Sequence, residues 1–203
     1  MSRQQEIGRQ AGPQRTRRAS PRRVYQLKVT LGGSKPPIWR RLQVPGNITL
    51  AGLHMAIQIA MGWLNCHLYR FRIAGEEYGE ELEDDPWFDM REATRAVLQR
   101  LVPFEGSTFL YEYDYGDGWR HSVKVERILP AQESVTCPTC LAGRRACPPE
   151  DCGGIGGYYR LLEIIADPAR EEHDEMVAWL GGPWDPDHFS LDEVNVELRC
   201  YSW

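Results

Sequence analysis

No apolar run in the 203-residue chain approaches the ~20 residues that a membrane-spanning helix requires. The N-terminus also lacks the apolar stretch of a secretory leader. The cytoplasm is therefore the expected location. There is no internal repeat, which excludes a repeat architecture, and nothing signals a second folded domain. No Gly-Lys-Ser/Thr follows the glycines at 153–157, which excludes a P-loop. No serine-recombinase nucleophile motif is present. In a reducing compartment cysteines stay thiols, so a Cys-x-x-Cys pair reads as metal or redox chemistry before it reads as a disulfide.

The sequence does contain enough material for one ordinary domain, at 42% hydrophobic and 26% charged residues. Its net charge of −5 is unevenly spread. Residues 1–23 hold seven arginines against Glu6 alone, a balance of +6, and the remaining 180 residues carry −11. Residues 1–22 are expected to be a disordered basic tail, since they offer almost nothing apolar to bury. Residues 23–203 are expected to form the folded domain. The tail's functional reading is an electrostatic arm for nucleic acid or another polyanion. The acidic body argues against a duplex-binding face on the domain.

Val24–Leu31 and Ile38–Val44 read as strands joined by a short turn, the second alternating apolar and polar residues. Thr49 stands at an N-cap position before Leu50, Leu53, Ile57, Ala60 and Met61 at helical spacing. Tyr69, Phe71 and Ile73 alternate with arginines as a third strand. The acidic stretch 76–92 reads as a solvated loop, and Glu92–Val102 as a short helix. Thr108–Tyr115 and Trp119–Ile128 read as a hairpin. A three-residue loop, Gly116-Asp117-Gly118, puts Tyr115 opposite Trp119, Tyr113 opposite His121, and Asp114 opposite Arg120. That register gives one apolar and one polar face. Residues 130–157 show no periodicity. Tyr158–Ala166 and Glu171–Leu180 read as helices, and Val194–Leu198 as a final strand or edge segment. Strands first and helices later indicate an α+β domain with a mainly antiparallel sheet, an early amphipathic helix, C-terminal helices and a Cys-rich loop.

Cys137, Cys140, Cys147 and Cys152 have the form C-x2-C-x6-C-x4-C in a Pro/Gly-rich segment with little else to hold it. Four thiolates from two short loops suit tetrahedral zinc, and a site filled by protein alone is structural. The other reading is a set of buried or half-buried thiols. Asp114, Asp117, His121, Glu150 and Asp151 are candidates for a hard-metal or acid/base site, because carboxylates and a histidine beside tight turns suit hydrolytic metal chemistry. Against this, Asp117 is a natural turn residue and Glu150-Asp151 can cap a helix. The hairpin register also separates Asp114 from His121. His54 and His67 read as packed or half-exposed histidines. Trp39, Trp63, Tyr111, Tyr113 and Trp119 read as core, or as a stacking surface for bases.

These segments together resemble the plasmid pRiA4b ORF-3-like family, also described as passenger proteins of insertion elements. The resemblance rests on Pro37-Ile38-Trp39-Arg40-Arg41, on Ala60-Met61-Gly62-Trp63, and on Tyr113-Asp114-Tyr115-Gly116-Asp117-Gly118-Trp119-Arg120-His121. It rests also on Cys147-Pro148-Pro149-Glu150-Asp151-Cys152-Gly153-Gly154 and on Asp185-Pro186 with Phe189 and Asn195. It spans roughly residues 24–199. It implies a single α+β domain associated with mobile elements and carries no defined activity. Two functions remain open. One is a non-enzymatic, zinc-stabilised binding module that meets nucleic acid through its N-terminal arm, or a protein partner. The other is a metal-dependent hydrolase built on Asp114, Asp117, His121, Glu150 and Asp151.

Overall fold

A computed structural model describes residues 23–80, 90–130 and 137–203. The basic tail and the most acidic part of the 76–92 stretch lie outside them. Strand β1 (Arg23–Leu31) and strand β2 (Trp39–Pro45) largely alternate buried and half-buried side chains and pair antiparallel. Ser34 closes the turn between them, donating from Oγ to the Leu31 carbonyl and accepting from the Ile38 N–H. Helix α1 (Leu50–Met61) starts where Thr49 Oγ1 accepts from the Gly52 N–H at 3.1 Å. It ends at Gly62, whose φ of 87° favours glycine.

Strand β3 (Tyr69–Ile73) follows as expected, but the chain then returns as β4 (Glu76–Gly79) instead of entering a loop. Tyr78 is the reason: it lies opposite Phe71 and is buried. The short strand β5 (Arg91–Glu92) pairs parallel to β4. The helix expected over 92–102 shrinks to α2 (Leu98–Leu101), because the Ala93 and Ala96 carbonyls accept from the first N–H groups of α1.

Strands β6 (Thr108–Tyr113) and β7 (Trp119–Pro130) form the anticipated hairpin with its faces as expected, but the register differs by two residues. Tyr113 pairs with Trp119 and Tyr111 with His121, leaving a five-residue loop from Asp114 to Gly118. A shift of two preserves every face. Asp114 is not opposite Arg120; Glu112 takes that place. Both ends of the loop are left-handed, Asp114 at φ 55° and Gly118 at φ 67°.

The aperiodic stretch contains strand β8 (Thr139–Arg144), paired with β2. Helices α3 (Gly154–Ile165) and α4 (His173–Trp179) follow. The expected final strand is instead helix α5 (Leu191–Cys200), capped by Ser190 Oγ accepting from the Glu193 N–H. The sheet has eight strands in the order β5-β4-β3-β6-β7-β1-β2-β8. Its inner face, carrying Tyr25, Leu27, Leu42, Phe71, Tyr111 and Trp119, packs on α1 to form the core. The result is a single α+β domain. No described helix is long and apolar enough to cross a membrane.

Candidate metal centre

Three chain segments meet at one end of the sheet: the α1–β3 connection, the β6–β7 loop and residues 147–153. Hydrogen bonds fix the meeting. Trp63 Nε1 donates to the Pro148 carbonyl at 2.9 Å. Glu150 Oε1 accepts from the Leu64 N–H and from the Tyr113 hydroxyl, both at 2.8 Å. The Tyr113 hydroxyl in turn accepts from the Cys66 N–H. Asp117 Oδ2 accepts from the Gly153 N–H at 3.2 Å.

Within this junction His67 Nε2 lies 3.1 Å from Asp151 Oδ1 and 3.7 Å from Asp114 Oδ2. One ligand atom from each residue falls within 4.8 Å of the others, and among the described residues this is the single group of three or more His, Cys, Asp or Glu side chains that does so. The Nε2 atom is inaccessible to solvent and has no hydrogen bond. Its two carboxylate neighbours are close, but not in directions that satisfy it. Asp114 is divided between two tasks. Its Oδ1 accepts from the Gly116 and Asp117 N–H groups, which makes the turn. Its Oδ2 is left facing His67. Asp151 also sits at positive φ, 59°, and its side chain is mostly exposed. His67 and Asp114 open onto a cleft of about 450 Å³, lined also by Asn65, Glu80 and Tyr115.

Of the five residues expected at a carboxylate/histidine site, Asp114 and Asp151 converge and Glu150 is adjacent, bonded to Tyr113. Asp117 stays a turn residue tied to Gly153. His121 is not part of the group. It points inward from β7, is fully buried, and stacks edge-on against Trp63 with ring centroids 5.3 Å apart. Burial pushes its pKa down to about 4. His67 completes the set instead. The sequence shows it only as a histidine before a strand; its contacts come from residues 47 and 84 positions away, which no local pattern records.

The four cysteines do not gather into one tight cluster. Cys140 is buried on β8 and Cys147 is buried beside the Arg40 guanidinium, while Cys137 and Cys152 are half-buried. No three of these sulfurs come within 4.8 Å of one another. Gly153 is the left-handed N-cap of α3, and Gly154, Gly156 and Gly157 lie in its first turn, where a Cβ on Gly157 would sit 1.8 Å from the Cys152 carbonyl oxygen. Trp63, Tyr111, Tyr113 and Trp119 are core, and Trp39 alone points to the other face of the sheet.

An α+β domain with one histidine–carboxylate junction at the end of its sheet is thus the class of protein that fold and site define. Residues 23–193 match the family described as plasmid pRiA4b ORF-3-like protein, and the chain belongs to it. It is 45% identical over 160 residues to the uncharacterized protein y4hQ of Sinorhizobium fredii, covering 78% of this chain and 81% of that one. The crystal structure of MM3350 from Methanosarcina mazei Go1, a protein of unknown function, superposes with a TM-score of 0.78 at 39% identity. That match covers 86% of this chain and 98% of the other.

Proposed function

We propose that this protein is a metal-dependent hydrolase that holds one divalent cation between His67, Asp114 and Asp151. The observation that carries the reading is the solvent-inaccessible His67 Nε2, aimed between two carboxylates without a hydrogen bond to either. An imidazole lone pair and two carboxylate oxygens are a ligand set that suits zinc or manganese. Three protein ligands leave coordination positions open toward the cleft, where a bound water would be acidified into a nucleophile. Glu150, one residue from Asp151 and hydrogen-bonded to Tyr113, holds the loop that delivers Asp151.

The test is calorimetric titration of chelator-treated protein with Zn²⁺ and Mn²⁺, followed by metal-stimulated hydrolysis of chromogenic phosphodiesters and carboxylic esters. About one ion per chain is expected. Asp114→Asn keeps the Oδ1 acceptor of the turn and removes only the charge, so it should fold normally and bind at least ~10-fold more weakly. His67→Ala should abolish both binding and turnover. The cobalt-substituted protein should lack the near-ultraviolet charge-transfer bands of thiolate ligands. Strong thiolate bands, or binding unchanged in both variants, would move the metal to the cysteines. Tight binding without turnover of either ester class would leave a cation site and remove the hydrolase.

A further inference from the structure

Two of the chain's three lysines, Lys28 on β1 and Lys124 on β7, are direct cross-strand partners. On its other side Lys28 faces Arg41 of β2. Three cations thus stand in one row across adjacent strands, on the face of the sheet away from α1. Like charges directly opposite one another destabilise a sheet, so the Lys28–Lys124 pairing itself does not stabilise this one. One carboxylate lies among them. Glu126, at a bulge in β7, binds Arg41 Nε and Nη2 at 2.6 and 2.9 Å and accepts from Gln26 at 2.7 Å. Its oxygens are engaged there; Lys28 feels that carboxylate only at longer range, and among the described residues neither lysine has a carboxylate at salt-bridge distance.

The next row of the same face runs Ser122, Thr30, Trp39, Arg144. It sets hydroxyls and an indole beside the cations. The Trp39 ring has Lys28 Nζ 5.0 Å and Arg41 Cζ 5.2 Å from its centroid. Ser122, Lys124 and Arg144 are exposed. The chain beyond residue 23 carries −11, so this patch opposes the charge of the body around it.

We propose that this open sheet face binds single-stranded nucleic acid. The Lys124–Lys28–Arg41 row spans about 10 Å across two strand spacings and offers the sugar-phosphate backbone a line of charge. Trp39 offers an exposed base a ring to stack on, and the cations already gathered about that ring supply the charge that sequence-tolerant single-strand binding uses. A duplex keeps its bases stacked inside and has no use for Trp39. An acidic polypeptide would meet the lysines but not the indole. The proposal does not depend on the cation site at the end of the sheet.

The experiment is fluorescence anisotropy of the full chain with a labelled single-stranded oligonucleotide of about 16 nucleotides, the upper end of a small-domain site, across a salt series. Lys28→Gln/Lys124→Gln should weaken binding at least ~10-fold and reduce the slope of log K against log salt by roughly 1.4, since each lost phosphate contact removes about 0.7 for single strands. The same variant should melt within a few degrees of the wild type, because relief of the Lys28–Lys124 repulsion offsets the lost contact of Lys28 with Trp39. That result separates a lost contact from a lost fold. Trp39→Ala should weaken binding several-fold with an unchanged salt slope. Arg15→Gln/Arg17→Gln/Arg18→Gln in the N-terminal arm should retain most of the affinity. The proposal fails if the arm variant alone abolishes binding, or if a duplex of the same sequence binds as tightly. It fails equally if polyglutamate competes as well as the unlabelled oligonucleotide, or if the wild type does not bind at low salt.

Discussion

The Asp117 carbonyl oxygen lies where a side chain on Gly154 would have to go: a Cβ built there would be 2.5 Å from it. The Asp117 side chain meanwhile accepts from the N–H of Gly153. The Gly116-Asp117-Gly118 turn and the Cys152-Gly153-Gly154 turn are therefore two halves of one contact. Each motif is short because the other sits against it, and together they bring Asp151 to His67.

Gly154→Ala should break that contact. The position combines a positive φ of 68° with backbone on the other side that cannot rotate away. We expect a loss of roughly 2–4 kcal/mol in urea denaturation, from left-handed strain plus the forced displacement of the loop. Gly156→Ala is the control, because a Cβ there meets nothing within 4 Å. Gly156 lies in the first turn of α3, where alanine is favoured over glycine by up to about 1 kcal/mol, so this variant should be neutral or slightly stabilised. Equal effects at the two positions would show that the turns do not pack on one another.

Acid should destabilise the fold in a defined window. His54 is buried, stacked 3.6 Å from the Tyr69 ring and bonded to the Tyr111 hydroxyl and Asn65 Oδ1. Burial pushes both His54 and His121 down to about 4. Unfolded histidines titrate near 6.5, so between these values the unfolded chain binds more protons than the folded one. Stability is therefore full above ~6.5 and falls as pH drops toward 4, by up to roughly 1.4 kcal/mol per pH unit for each histidine. His121→Phe should about halve that slope between pH 6 and 4.5. It should cost little at pH 7, since neither His121 ring nitrogen makes a well-directed hydrogen bond. An unchanged slope would mean that His121 does not titrate on unfolding.

Arg40 should prove far less replaceable than a surface arginine. It points inward from β2 and is 3% exposed. Its donors go to carbonyls, with Nε on Ala60 at 2.6 Å and Nη1 on Trp39 and Arg144 at 2.9 and 3.1 Å. Its Cζ lies 4.5 Å from the centroid of the Phe189 ring, which also fills the space above Gly143. Arg40→Lys should cost about 2 kcal/mol, because a point-like ammonium cannot serve carbonyls on three sides. Arg40→Ala should cost about 4 kcal/mol through unmet carbonyls and a cavity. Both are read from urea midpoints. Arg40 was legible only as one letter of a motif, since its burial depends on where β8 and Phe189 come to lie.

The same distinction runs through the rest of the chain. Strands β1, β2, β3, β6 and β7 were legible because each keeps two-residue alternation over most of its length against one buried face. β8 was not. A bulge opposite Arg41 and Leu42 leaves Cys140 buried and Leu141 exposed, and a small residue is needed at Gly143 under Phe189. The alternation is thus inverted by neighbours distant in sequence. α5 buries only Leu198 fully, so its apolar content is a poor guide. Its start was nonetheless written in Ser190 and Glu193, three residues apart, the spacing of a capping box. At the candidate metal centre Asp114, Glu150 and Asp151 could be singled out as carboxylates beside tight turns. His67 could not be joined to them, because that contact exists only once the three segments are tied by Trp63, Tyr113 and Glu150.

Thiol chemistry separates cysteines that act independently from the four-thiolate zinc arrangement that their spacing suggests. Cys66 and Cys200 are exposed, whereas Cys140 and Cys147 are buried. Burial pushes the Cys147 thiol far up, and pushes Cys152 up to about 12, so at pH 8 neither forms much of the reactive thiolate. Titration of the native protein with a chromogenic disulfide should show a fast phase equal to the two exposed thiols, with Cys137 slower and the buried thiols reacting only on unfolding. Adding a chelator should leave these phases unchanged, because no three of these sulfurs come within 4.8 Å of one another. A metallochromic dye present during the titration should report no zinc set free by thiol modification. A zinc-thiolate centre makes the opposite forecast. Four thiols would stay silent until chelation, then react together with the release of about one zinc per chain. That outcome would require Cys137, Cys140, Cys147 and Cys152 to gather about one ion, with Cys140 doing so from its place on β8 opposite Leu42.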